Sequence, residues 1–126
     1  MDVDLLKNIK ILIVDDEPSI QEILSEELYA LGAHVKTATS GQQALEILKK
    51  ERFQIVITDS RMPQGDGIFL LKSIQEQLEF KPLCFICSGF VKLTPEQLKE
   101  LNVTAILGKP FSIIELFKVL PFPIPE

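Results

Sequence analysis

The sequence predicts an α/β domain built on a doubly wound, parallel, five-stranded sheet. Three observations carry that expectation. Short apolar runs alternate along the chain with stretches of helical periodicity. The run Ile55-Val56-Ile57 is apolar and β-branched, as in a strand buried on both faces, and it closes on Thr58-Asp59. An earlier run, Ile11-Leu12-Ile13-Val14, closes the same way on Asp15-Asp16, and two later runs close on Ser88 and Lys109. In open parallel sheets, ligands bind at the carboxyl ends of the strands, so these polar groups mark one functional edge.

The elements follow in order. A strand is expected over residues 10–14. Pro18 suits the first turn of a helix, where a missing N–H has no partner to lose. That helix carries Ile20, Ile23, Leu24, Leu28 and Leu31 at helical spacing and stops near Gly32. Residues 34–39 alternate like a half-exposed strand. Ser40 with Gln43 has the spacing of a capping box, opening a helix that buries Ala44, Leu45, Ile47 and Leu48 and ends near Arg52. The central strand to Asp59 comes next, then a loop of turn formers from Met62 to Gly67. A third helix over 68–78 presents Leu70, Leu71, Ile74 and Leu78. Residues 83–87 form the fourth strand, broken by Ser88-Gly89. Thr94-Pro95-Glu96-Gln97 combines an N-cap, a first-turn proline and a capping-box glutamine, and that helix ends near Asn102. Residues 104–107 make a short last strand. Ser112 with Glu115 opens a final helix to about Leu120, beyond which Pro121, Pro123 and Pro125 prevent continuation.

Repeated βα units impose right-handed crossovers and helices on both faces. No glycine-rich phosphate loop follows the first strand, which disfavours a two-halved dinucleotide-binding sheet and favours the flavodoxin-like order 2-1-3-4-5. In that order the first and third strands are neighbours, so Asp15, Asp16 and Asp59 converge.

The chain has 126 residues, 46% of them apolar, which suits one domain over residues 1–120 with a proline-rich tail or start of a linker at 121–126. A net charge of −5 gives no pull toward a phosphate backbone, so direct nucleic-acid binding is not expected. No run approaches the ~20 apolar residues of a membrane span, and the opening residues lack a basic signal-peptide region. A cytoplasmic location is therefore expected. Cys84 and Cys87 spell C-x-x-C, but within a strand they face opposite ways about 10 Å apart. That is too far for a disulfide, and His34 is the only histidine to complete a zinc site.

Three carboxylates in a partly desolvated cleft stay ionised together only with a cation. An all-oxygen donor set suits Mg²⁺ or Mn²⁺ rather than zinc. Asp59 can act as a nucleophile and form an acyl phosphate, with Lys109 as a point charge for the phosphoryl oxygens and Ser88 as a hydroxyl donor. Taken singly, each residue has an ordinary explanation: a turn former, a surface charge, or an acidic helix start favoured by the macrodipole. Their coincidence at the ends of successive apolar strands is what points to a site.

Ile13-Val14-Asp15-Asp16-Glu17-Pro18, Thr58-Asp59-Ser60-Arg61-Met62-Pro63 with Gly65-Asp66-Gly67, Ser88-Gly89 and Lys109-Pro110-Phe111 together resemble the receiver domain of two-component response regulators, over about residues 8–120. The resemblance implies that Asp59 is the phosphoacceptor. It implies that Asp16 is a direct magnesium ligand, that Asp15 acts through water, and that the Arg61 backbone carbonyl completes the metal site while its side chain tunes phosphoryl lifetime. Ser88 and Lys109 would bind the phosphoryl group, the Lys109-Pro110 bond being commonly cis in the family. The donor would be a phosphohistidine on a sensor histidine kinase or phosphotransfer protein. The output face, about residues 94–120, would control an unknown partner, or a C-terminal effector domain if the chain continues. Such a domain catalyses its own phosphorylation and dephosphorylation without being a turnover enzyme.

One departure concerns signalling. The family's switch aromatic falls three residues before the lysine, where this chain has Ile106, stiff at χ1 and without a hydroxyl. Phe90 is expected to take part of that role. A Phe90→Ala variant whose last two helices still responded to phosphorylation as in the native protein would remove this expectation. Three rivals are weaker. A pseudo-receiver acting only as an interaction module usually lacks an acid or the lysine. An aspartyl phosphatase carries a second Asp where Arg61 stands. A flavin carrier needs a hydroxyl-rich loop where this chain has Asp15-Asp16-Glu17.

Overall fold

The computed structural model describes residues 5–60, 66–87, 93–108 and 112–125. Its strands are β1 (Lys10–Val14), β2 (His34–Ala38), β3 (Ile55–Asp59), β4 (Leu83–Cys87) and β5 (Val103–Leu107). Its helices are α1 (Pro18–Tyr29), α2 (Gly41–Lys50), α3 (Gly67–Gln77), α4 (Pro95–Glu100) and α5 (Ile113–Val119). All strand pairs are parallel and the order is β2-β1-β3-β4-β5, as the sequence predicts.

Strand alternation sorts the apolar side chains into two layers. Leu12, Val14, Val56, Cys84 and Ile86 face Leu45 and Leu48 of α2, Leu70, Leu71 and Ile74 of α3, and Leu101. Ile11, Ile13, Ile55, Ile57, Phe85 and Cys87 face Leu24 and Leu28 of α1, Leu116 of α5 and Leu120 at its C-terminal end. Cys84 and Cys87 thus lie in different layers, both buried and neither in a disulfide. Burial pushes the Cys84 thiol up to about 12. We expect the folded protein to form no Cys84–Cys87 disulfide and Cys84 to resist thiol reagents near neutral pH. Labelling of Cys84 at the rate of an exposed thiol would contradict this placement.

The caps follow the local sequence. Thr94 accepts from the Gln97 N–H at 3.1 Å while the Gln97 side chain accepts from the Thr94 N–H at 2.9 Å, a complete capping box. Asn102 takes positive φ (55°) after α4, and Gly32 does so (96°) after α1. Ser112 caps α5 through the Glu115 N–H. Ser40 caps α2, but Gln43 reaches back to the Thr39 N–H (2.7 Å), one residue earlier than a capping box requires.

Several boundaries and faces differ from expectation. Ile23 is exposed because α1 meets the sheet through Leu24 and Leu28, and Ile23 lies off that stripe. Ile47 and Leu78 are only partly buried. As the edge strand, β2 does not alternate cleanly: His34, Lys36 and Thr37 are exposed and Ala38 is buried. Asp66 and Gly67 belong to α3 as its N-cap and first residue, not to the preceding loop. Leu6, which periodicity does not single out, is fully buried against the α1 layer and donates its N–H to the Leu31 carbonyl at 2.9 Å.

Candidate functional site at the carboxyl edge of the sheet

β1 and β3 are paired from Ile11↔Ile55 through Val14↔Thr58. The next residue on each strand is an aspartate. Asp15 and Asp59 therefore sit side by side at the carboxyl edge, on strands about 4.8 Å apart. β3 and β4 remain paired through Asp59↔Cys87, so β4 ends at the same edge.

Asp59 is buried to nine-tenths, and its Oδ1 accepts the Ser60 N–H at 2.7 Å. Ser60 is itself buried, and the same N–H also reaches the Cys87 carbonyl at 3.3 Å. The Asp59 carbonyl accepts from the buried Thr58 hydroxyl at 2.9 Å. Against that carbonyl lies Gly67, whose N–H donates to Ser60 O at 3.3 Å. A Cβ on Gly67 would stand 2.4 Å from the Asp59 carbonyl oxygen. The start of α3, capped by the Asp66 side chain on the Phe69 N–H (2.9 Å), is thus seated directly on the backbone of Asp59.

Asp15 is buried, and its Oδ1 accepts the Glu17 N–H at 2.9 Å in a local turn that opens α1. Carboxylate oxygens of Asp15, Asp16 and Glu17 lie within 4.8 Å of one another, Asp16 and Glu17 being exposed. Glu17 joins this close group without having been assigned a ligand role from the sequence, whereas Asp59, expected to converge with Asp15 and Asp16, is not one of its members. The donor set is all carboxylate oxygen, which fits a hard divalent cation such as Mg²⁺ and not zinc. Of the remaining predicted residues, Arg61, Ser88, Phe90 and Lys109 lie outside the described residues. Ile106 lies in β5 opposite Ile86 and is 40% exposed, on the face away from Ala105 and Leu107. No helix among the described residues is long and apolar enough to cross a membrane.

Sequence reasoning did not pick out Ser60, Gln21 or the seating of Gly67. The Gln21 amide donates to the carbonyls of Asp15 (2.6 Å) and Ala38 (2.8 Å). A signal was present, since Gln21, Leu24 and Leu28 recur at spacings of three and four and so share the sheet-facing stripe of α1.

A parallel sheet of this order, with acidic groups at the carboxyl ends of its first and third strands, is the arrangement that the resemblance to receiver domains implies. A chemotaxis receiver is a known example of that strand order, so the topology itself is not new. A model of the response regulator receiver domain matches residues 11–121, and the chain belongs to that family. It is similar to chemotaxis protein CheY-3 of Vibrio cholerae, 36% identical over 119 residues and 92% of each protein. It is also 36% identical over 116 residues to the probable transcriptional regulator ycf27 of Guillardia theta, covering 92% of this chain but only 45% of that protein. The high-resolution structure of the chemotaxis response regulator CheY4 of Vibrio cholerae superposes with a TM-score of 0.74 at 32% identity, over 89% of this chain and 98% of that one. The family membership supports a phosphoacceptor signalling role.

Proposed function

We propose that this chain is a phosphorylatable receiver in which Asp59 takes a phosphoryl group from a phosphohistidine of a sensor histidine kinase or phosphotransfer protein. A carboxylate oxygen of Asp59 attacks phosphorus, the P–N bond breaks, and its electron pair returns to the imidazole. The product is an acyl phosphate. Hydrolysis reverses the state: water attacks phosphorus, the P–O bond to Asp59 breaks, and inorganic phosphate leaves. The domain is a switch in this cycle and not a turnover enzyme. Asp15 and Asp16, with the Arg61 carbonyl, would hold Mg²⁺ or Mn²⁺, which when bound neutralises charge on the phosphoryl oxygens. Ser88 and Lys109 are assigned phosphoryl-binding roles by their place in the family motif. The added negative charge, up to ~2 at neutral pH, biases the 94–120 face between two states and so controls a partner.

The observation that carries this reading is the register that puts Asp59 beside Asp15 at one sheet edge, with Asp16 and Glu17 grouped about Asp15. The test is intact mass after incubation with acetyl phosphate. A gain of one phosphoryl group is expected with Mg²⁺ and none with excess chelator. No gain from acetyl phosphate or from a phosphohistidine donor, in a sample shown to be folded, would favour the interaction-module reading instead.

A further inference from the structure

We infer that Gln21, on the sheet-facing stripe of α1, is a positioning residue for the acidic group, locking the Asp15 backbone so that its carboxylate is presented to the cation. This rests on the metal-dependent reading given above. Among the described residues, these contacts hold Asp15. Its N–H donates to the Ala38 carbonyl at 3.0 Å, extending the β1–β2 ladder by one residue. Its carboxylate accepts the Glu17 N–H. Its own carbonyl accepts Gln21 Nε2 at 2.6 Å, and the same nitrogen reaches the Ala38 carbonyl at 2.8 Å.

The chemistry of the amide matches the place. A primary amide nitrogen carries two N–H donors, and two carbonyl oxygens face it. The reverse orientation would set the amide oxygen against both carbonyls, so the acceptors themselves dictate which way the group points. Past Val14 the β1–β3 pairing has stopped, and the chain must leave the sheet and turn into α1 within Asp15–Glu17. At that point Gln21 ties the helix to the ends of both β1 and β2. Without it, the Asp15 carbonyl, in a buried residue, loses a partner, and the strand end gains freedom where the three carboxylates must stay close. Outer-shell groups of this kind commonly set metal affinity by orienting the ligands.

The test compares native protein with Gln21→Leu and Gln21→Met, which keep bulk but remove both donors, and Gln21→Glu, which sets acceptor oxygens against acceptors. Mg²⁺ affinity is measured by following backbone amide resonances of residues 15–17, well below the unfolding temperature. Affinity about tenfold weaker in the Leu and Met variants, at the low end of the range for outer-shell partners, is expected. The amide shifts of residues 15–17 should also differ from native before any metal is added. A lower Tm with native Mg²⁺ affinity would show a merely structural role and overturn the inference. A native protein that bound no Mg²⁺ would instead overturn the metal-dependent reading on which it stands.

Discussion

Asp59→Asn is expected to carry no phosphoryl group under conditions in which the native protein is fully modified. Asparagine keeps the shape and the oxygen that accepts the Ser60 N–H at 2.7 Å, so the end of β3 and its link to Ser60 survive. What is lost is the anionic nucleophile, because an amide oxygen does not form a stable bond to phosphorus here and the amide nitrogen has no available lone pair. The effect on folding should run the other way. Asp59 and Asp15 are buried acids at the ends of neighbouring strands, and removing one charge relieves repulsion. Without Mg²⁺ the variant should be at least as stable as native. Intact mass and thermal denaturation read both halves. Phosphorylation persisting in Asp59→Asn would move the acceptor elsewhere, and a collapsed Tm would show that the carboxylate charge is structural.

Gly67→Ala should lower stability although alanine is the better helix former. In an exposed helix interior the change would add about 1 kcal/mol. Here the new methyl would stand 2.4 Å from the Asp59 carbonyl oxygen and 3.2 Å from Ser60 Cα. Both are backbone atoms held by their own hydrogen bonds, Thr58 Oγ1 to the Asp59 carbonyl and the Ser60 N–H to Asp59 Oδ1, so neither yields as a side chain would. Overpacking of this kind costs about 1–3 kcal/mol, and a first-turn residue recovers little of the propensity gain. The expected result is a Tm lower by several degrees together with slower phosphorylation by acetyl phosphate, because α3 and the Asp59 backbone are pushed apart. Unchanged Tm and rate would mean that α3 is not seated on Asp59.

Much of the architecture was readable because it is written locally. Strands 55–59 and 83–87 are built on the apolar runs Ile55-Val56-Ile57 and Leu83–Cys87, so their position and burial on both faces follow from local sequence alone. Thr94-Pro95-Glu96-Gln97 specifies a helix start within four residues, and the folded chain completes the capping box that this pattern predicts. Faces of helices were less certain. Ile23 fits the apolar spacing of α1 as well as Leu24 does, and only the direction from which the sheet approaches leaves Ile23 in solvent.

The aspartates at the strand ends were legible for the same local reason: each interrupts an apolar run at the point where the strand must stop. From the sequence alone came the class of fold, the order of elements and the three aspartates at one edge. The tertiary structure decided what holds them there. Gly67 reads locally as a turn former, yet what requires glycine is contact with Asp59, eight positions earlier in the chain. Gln21 reads as one more polar helix residue, yet its amide joins the ends of two strands. Hydrogen bonds and van der Waals contacts between distant segments depend on distances that no residue pattern encodes, and those distances exist only once the sheet and its helices have packed.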